Sequence, residues 1–331
     1  VQAQAAPEQR TLSVTYSRAD RVFRGIVTAG ALTSLVVLGL IALFLFVRGL
    51  PVFREFGLRF LTGSEWMAMG EESFTDEAQA LVGGASTFSI GPMIVGSVVV
   101  SIIALLIAVP LAVGGALYIE FYAPRVLYRP LVTLLDLAAA IPSLIFGLWG
   151  VQVFTSLGVR WATLLNVRLD FIPIFSVDFP NFGRSPFVAG CVLAALIMPI
   201  TTSIVREVYS RTPRDLIDSC YALGGSKWGA IRAVVMPYGR SGVIAGAMLG
   251  LGRALGETVA IYLMLNLVFA YSWRILDSTG GNVASMIALK FGEASPTEIA
   301  ALVASGFVLF VITLVVNMAA ATIVERFTPR A

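Results

Sequence analysis

The run GPMIVGSVVVSIIALLIAVPLAVGGALYI, residues 91–119, carries no charged side chain from end to end. A helix of about 20 such residues spans the hydrocarbon of a bilayer, and a run this long and this apolar exceeds what one soluble core can cover. Five further stretches have the same character, at 25–47, 131–157, 187–205, 241–269 and 299–324. The sequence therefore predicts an all-α integral membrane protein with six transmembrane helices. None of the six has the short apolar core and small-residue cleavage site of a signal peptide, so the first is expected to be retained as a helix.

Composition agrees. Of 331 residues, 57% are hydrophobic and only 13% charged, against about 25% charged in ordinary soluble domains. Mean hydropathy is +0.87. Soluble, disordered and collagen-like classes are excluded. There is no histidine, which removes His-dependent catalysis and His-ligated metal sites. The two cysteines, Cys191 and Cys220, read as small residues in different environments rather than as a disulfide framework.

The net charge of +3 could suggest nucleic acid, but its distribution describes a membrane topology. The segments before span 1, between spans 2 and 3, between 4 and 5, and after 6 hold 14 of the 23 Lys and Arg residues; the opposite side holds 8. Positive residues favour the cytoplasmic face, so both termini are expected inside. The expected organisation is a cytoplasmic segment 1–24, a first span 25–48, an outer loop 49–90, a core 91–324 with an inner loop 206–240, and a cytoplasmic tail 325–331. The N-terminal VQAQAAPEQR reads as loose. The 49–90 loop is acidic, with Glu55, Glu65, Glu71, Glu72, Asp76 and Glu77, and its Phe60 and Trp66 read as anchors near the membrane surface. A second outer loop is expected at 158–186. Neither loop alternates with period two, so no sheet is assigned.

The inner loop reads RTPRDLIDSCYALGGSKWGAIRAVVMP over residues 211–237. Pro213 suits the start of a helix, and Asp215 favours its positive end. Leu216, Tyr221 and Leu223 supply apolar contacts, and Gly224-Gly225 end the helix where a positive φ is needed. Ser226 can cap a second helix running to Val235, with Pro237 as its stop. Two short helices joined by a glycine turn are expected at the inner membrane face. The segment GGSKWG, 224–229, does not have the order of a G-x-x-x-x-G-K-[ST] phosphate loop. No nucleotide site is expected on this chain.

Span 5 reads SGVIAGAMLGLGRALGETVAIYLMLNLVF, 241–269. Arg253 falls roughly 18 Å into it, at 1.5 Å per residue, with Glu257 one turn farther. A charge at such depth costs about 2.5–3.5 kcal/mol on insertion scales, so it normally faces a partner or a cavity. The i,i+4 spacing puts both on one helix face, either as a mutually neutralising clamp or as part of a transport path. In the second case Arg253 offers fork-shaped donors to an oxyanion, and Glu257 accepts a hydrogen bond from a protonated one. Gly242, Gly246, Gly250 and Ala254 form a small-residue stripe that lets helices approach closely. Asp136, and Ser143 after Pro142, are further pathway candidates in span 3. Arg206-Glu207 read as an interfacial charge pair.

The inner loop resembles the EAA loop of bacterial ABC importer permeases, matched here by Asp218-Ser219-Cys220, Gly224 and Val234-Val235-Met236-Pro237. LGLGRALGETVA at 249–260, the runs at 91–124 and 135–150, and FGLRFLTGSEW at 56–66 are similar to permeases of the phosphate-specific transport (Pst) family, and the last favours its C-type subunit. The resemblance covers residue 53 to the C terminus. It implies a type I ABC permease architecture with a coupling-helix hairpin in the bacterial inner membrane. It also implies a PstA-like sister permease, two ATPase subunits that carry ATP-Mg, and an extracytoplasmic phosphate-binding protein. The chain itself would hold no cofactor and catalyse no reaction. Asp218, Ser219, Cys220, Gly224 and Pro237 carry over as coupling residues, and Arg253 and Glu257 as pathway residues. The outer loop with Arg160, Arg168 and Arg184 is a candidate docking surface for the binding protein. Permeases for molybdate or sulfate are the nearest alternatives, and an ion channel or proton-coupled carrier is the alternative from another class.

Overall fold

A computed structural model describes residues 17–68, 86–177 and 180–327. The N-terminal VQAQAAPEQR and the loop acids Glu71, Glu72, Asp76 and Glu77 lie outside these residues. The chain forms two compact units, residues 1–47 and 48–331. Helix α1, Arg18–Phe56, belongs to both. Within the first unit its apolar side chains are exposed, among them Leu35 and Leu40. A helix apolar all round belongs in lipid or against another membrane helix.

The second unit is built around α7, Pro186–Ser210, packed against α3, Gly91–Leu117. The seam follows from small side chains. Ala104, Ala108, Ala112 and Ala116 recur every fourth residue of α3 and are all fully buried. On α7, a Cβ placed at Gly190 would come within 2.6 Å of Ile103 Cγ2. Close approach through small residues supplies packing where lipid gives no hydrophobic drive between helices. Gly96 is tighter still, because its added Cβ would land on the Gly281 carbonyl oxygen. Gly96→Ala is therefore expected to destabilise the protein by about 1–3 kcal/mol. Gly114→Ala, on the same helix with nothing within 4 Å, should leave unfolding in detergent unchanged. Equal stability of the two variants would contradict this packing.

Among the described residues five helices are long and apolar enough to cross a membrane: Arg18–Phe56, Gly91–Tyr122, Ser143–Leu169, Pro186–Ser210 and Pro296–Ala319. A sixth comes from Lys227–Tyr238 and Arg240–Leu255, bent by 64°. Two spans differ from their sequence reading. The third does not run through 131–157. Helix α4, Arg125–Ala140, stops because Ile141 precedes Pro142 and adopts φ −64°, ψ 129°, as a residue before proline is pushed to do. The chain restarts as α5, Ser143–Trp149, and passes through a π-helical turn into α6, Thr155–Leu169. The expected loop at 158–186 is correspondingly shorter. The fifth span is not one helix over 241–269: α11, Arg240–Leu255, ends at Gly256, and α12, Val259–Met264, follows as a separate short segment.

At the far end of α3 from its C terminus, α2, Arg59–Thr62, leads into a two-residue antiparallel ladder. It pairs β1, Trp66–Met67, with β2, Thr87–Phe88. No sheet was expected there, and strands this short leave no periodic signature. Phe60 is fully buried, edge-on to Phe53 at 5.6 Å. Trp66 stacks on Phe269 at 5.7 Å and donates Nε1–H to Glu298 Oε1 at 2.6 Å. Glu298 also pairs with Lys290 at 3.4 Å, so its buried carboxylate is compensated. Helix α13, Val283–Lys290, and α14, Pro296–Phe327, complete the chain.

Candidate functional site

Helix α11 presents two faces of opposite character. Gly242, Gly246, Gly250 and Ala254 are buried. A Cβ at Gly242 would overlap Val208, and one at Gly250 would sit 2.9 Å from Thr201 Oγ1. This face is therefore locked onto α7. The neighbouring stripe, Ala245, Leu249 and Arg253, lies beside the glycines at i+3 spacing and is exposed. Arg253 makes no hydrogen bond or ion pair with the described residues.

Glu257 does not share that face. Gly256 closes the helix at φ −90°, ψ 0°, and the chain turns Glu257 inward, where it is 7% exposed. Its Oε1 accepts from the Ala260 amide at 3.3 Å, an N–H left open at the start of α12. Its main-chain carbonyl accepts from Asn282 Nδ2 at 2.7 Å. The i,i+4 clamp of the sequence reading is therefore absent. A break in the backbone separates cation from carboxylate, and each broken-backbone group named here has a side-chain partner, as non-helical chain at membrane depth requires. Asn282 is buried and also caps α13 through a reciprocal bond with Ser285. Its role was not read from the sequence. The N-x-x-S spacing before an apolar run is a capping signal, but the bond to Glu257 spans 25 positions and has no local trace.

The two span breaks meet. A Cβ at Gly147 of α5 would lie 2.9 Å from Ala260 Cα of α12. Ser143 is one turn before this crossing on its helix, and Glu257 three residues before it on the other. Asp136, on α4, is exposed and accepts from Ser203 Oγ of α7 at 3.5 Å. Arg206 donates to the Tyr128 hydroxyl at 3.0 Å and lies 3.9 Å from Glu207, which also pairs with Arg211 at 2.8 Å. These contacts tie α4 and α7 together at the C-terminal end of α7.

The hairpin lies at that same end. Helix α8, Arg214–Ala222, has no buried residue, and Gly224 takes φ +82°. Ser226 caps α9, Lys227–Ala230, by accepting from the Gly229 amide at 3.1 Å. Pro237 does not stop the helical path. A π-helical turn over Ile231–Val235 feeds α10, Met236–Tyr238, with Pro237 in its first turn, where no N–H is needed. The hairpin is fastened by Ile231 and Val235, which pack with Tyr209 and Val205, and by Lys227 Nζ, 4.6 Å from the Tyr122 ring centroid. Asp218 and Ser219 are exposed, and Cys220 is half-buried against Gly225. Leu216, Tyr221, Leu223 and Trp228 are all exposed, Leu223 at 91%.

Interrupted membrane helices, a small-residue core and a projecting hairpin define a multi-span helical protein of permease architecture. The comparisons with known proteins agree over most of its length. The chain belongs to the binding-protein-dependent transport system inner membrane component family, whose profile matches residues 108–331. It is 40% identical over 310 residues to "Phosphate transport system permease protein PstC 2" of Mycobacterium tuberculosis (strain ATCC 25618 / H37Rv), covering 92% of each chain. It is 36% identical over 315 residues to the PstC of Xylella fastidiosa (strain 9a5c), covering 94% of this chain and 92% of the other. In fold it is similar to a subunit in the crystal structure of a bacterial ABC transporter involved in the import of the acidic polysaccharide alginate. That match has a TM-score of 0.51 at 15% identity, and covers 93% of this chain and 100% of that one.

Proposed function

We propose that this chain is the membrane permease subunit of an ATP-driven importer of inorganic phosphate. Its relatives named as PstC permeases of phosphate transport systems extend over nearly the whole chain. The observation that carries the reading is Arg253, a guanidinium in a membrane helix, unpaired by the described residues and displayed on the exposed face. A charge so placed is tolerated in a membrane only beside a partner or a water-filled cavity. A sister permease of the PstA kind, facing α11, supplies the other wall of that cavity.

Arg253 then binds phosphate oxygens through its fork of N–H donors. One oxygen of Glu257 is held by the Ala260 amide. The other is left to accept the proton of monohydrogen or dihydrogen phosphate, which sulfate lacks. Asp136 and Ser143 are additional pathway groups. Two separate ATPase subunits, which carry ATP-Mg, close against the 213–237 hairpin, with Asp218, Ser219, Cys220, Gly224 and Pro237 in the coupling element. An extracytoplasmic binding protein delivers phosphate to the opposite face. The bias of basic residues supports an orientation with both termini in the cytoplasm of a bacterium.

Glu257→Gln in the reconstituted complex is expected to erode discrimination between phosphate and sulfate, read as competition against labelled phosphate uptake. Unchanged flux together with unchanged sulfate rejection would remove Glu257 from the selectivity mechanism. Preferential uptake of molybdate or sulfate by the parent complex would assign the permease to another oxyanion.

A further inference from the structure

A cavity of about 220 Å³ opens where α12, α13 and the N-terminal approach to α7 converge. At about 30 Å³ per water, it has room for a partly hydrated tetrahedral oxyanion. Its polar groups are Arg184, Asn266, Tyr262 and Ser285, set among leucines such as Leu263 and Leu289. Among the described residues no carboxylate lines it. A smaller cavity of about 120 Å³, bounded by Thr155 and Leu263, also touches the same arginine and has no acid in its wall among the described residues.

Arg184 donates Nη1–H to Asn266 Oδ1 at 2.8 Å. That bond fixes one arm of the guanidinium through a neutral amide, so the positive charge is oriented but not cancelled. The remaining donors of the fork meet no acceptor among the described residues. The cavity is also joined to the Glu257 break. Ser285 N–H donates to Asn282 Oδ1 at 2.7 Å, and Asn282 Nδ2 donates to the Glu257 carbonyl at 2.7 Å. Tyr262 and Leu263 belong to α12, whose six residues span roughly 9 Å at 1.5 Å each. The cavity thus sits about one helical turn beyond Glu257, on the side away from the hairpin.

We infer that this cavity is a holding station for inorganic phosphate on its way to Arg253 and Glu257, with Arg184 as the binding guanidinium and Asn266 as its positioning residue. The inference rests on the phosphate-import reading above and adds a second, earlier anion site to it. A carboxylate-free pocket with one oriented cation attracts an oxyanion. Its polar groups are few and neutral apart from Arg184, so the anion is held by few contacts and can move on.

The test uses the complete complex with its sister permease and ATPases in proteoliposomes, without the binding protein. Phenylglyoxal modifies accessible arginines, and mass spectrometry locates the modified sites. Millimolar inorganic phosphate is expected to slow modification of Arg184 severalfold while chloride at equal ionic strength does not, with Arg160 as the internal reference. With the binding protein restored, Arg184→Gln should lower ATP-driven phosphate uptake roughly tenfold, the size expected for loss of one charged hydrogen-bonding group. Arg184→Lys, which keeps the charge, should recover a substantial part of it. Protection that is absent, or equal with chloride, overturns the station even if Arg184→Gln is slow, since that pattern is structural. Uptake by Arg184→Gln equal to the parent overturns it as well. A parent complex that moves no phosphate would instead overturn the phosphate reading itself.

Discussion

Arg253→Ala is expected to lower ATP-driven phosphate uptake by about a hundredfold or more, from the loss of two charge-assisted hydrogen bonds to the anion. The complex should still assemble. Arg253 lies on an exposed stripe of α11, beside the glycines that lock this helix to α7, and makes no bond with the described residues that folding could lose. Removing an exposed side chain opens no void in the packed core. Arg253→Lys keeps the charge but not the planar fork, so an intermediate rate is expected. Uptake should be read alongside co-purification of the partner subunits. A well-assembled Arg253→Ala complex that transports at the parental rate would remove this residue from the path.

The second large effect is expected at the hairpin. Leu223, 91% exposed, together with Leu216, Tyr221 and Trp228, forms an apolar surface on the hairpin, whose helix α8 has no fully buried residue. Anchors of this kind carry most of the energy of an interface, about 2 kcal/mol or more each. Leu223→Asp should therefore reduce ATPase association by roughly 30-fold or more at that energy and abolish coupled uptake. Gly224→Val acts differently. At φ +82° a β-branched side chain is strained, so the turn re-forms and α8 is presented at the wrong angle. Transport-linked ATP hydrolysis is expected to be lost in both variants, and pull-down of the ATPase separates lost docking from lost alignment. Retained ATPase binding and uptake in Leu223→Asp would place the docking surface elsewhere.

What was legible in the sequence was whatever depends on composition along one segment. The 91–119 run, the hairpin with its Gly224 turn, and the small-residue stripe of α11 each announce themselves within a dozen or two residues. The span breaks were harder. Pro142 was visible, but an apolar window averages across it, so 131–157 read as one helix instead of two. Gly256 is one glycine among several in its helix. What makes it the end is Asn282, 25 positions from Glu257, bonding to the carbonyl that the break exposes. Hydrophobic periodicity carries no information about a contact at that separation. The same holds for Phe60, whose burial depends on Phe53, Phe88 and Ile90 gathering around it. The charges were seen; that one is exposed and the other buried was not, because it follows from the break.

The most direct test of the central claim is labelled phosphate uptake into proteoliposomes holding this chain with its sister permease, ATPases and binding protein. Uptake should require ATP inside the ATPase-facing compartment, stop when ATP is removed, and be indifferent to an imposed proton gradient. Uptake that continues without ATP and follows the proton gradient would contradict an ATP-driven permease and return the Arg253 and Glu257 pair to a secondary carrier.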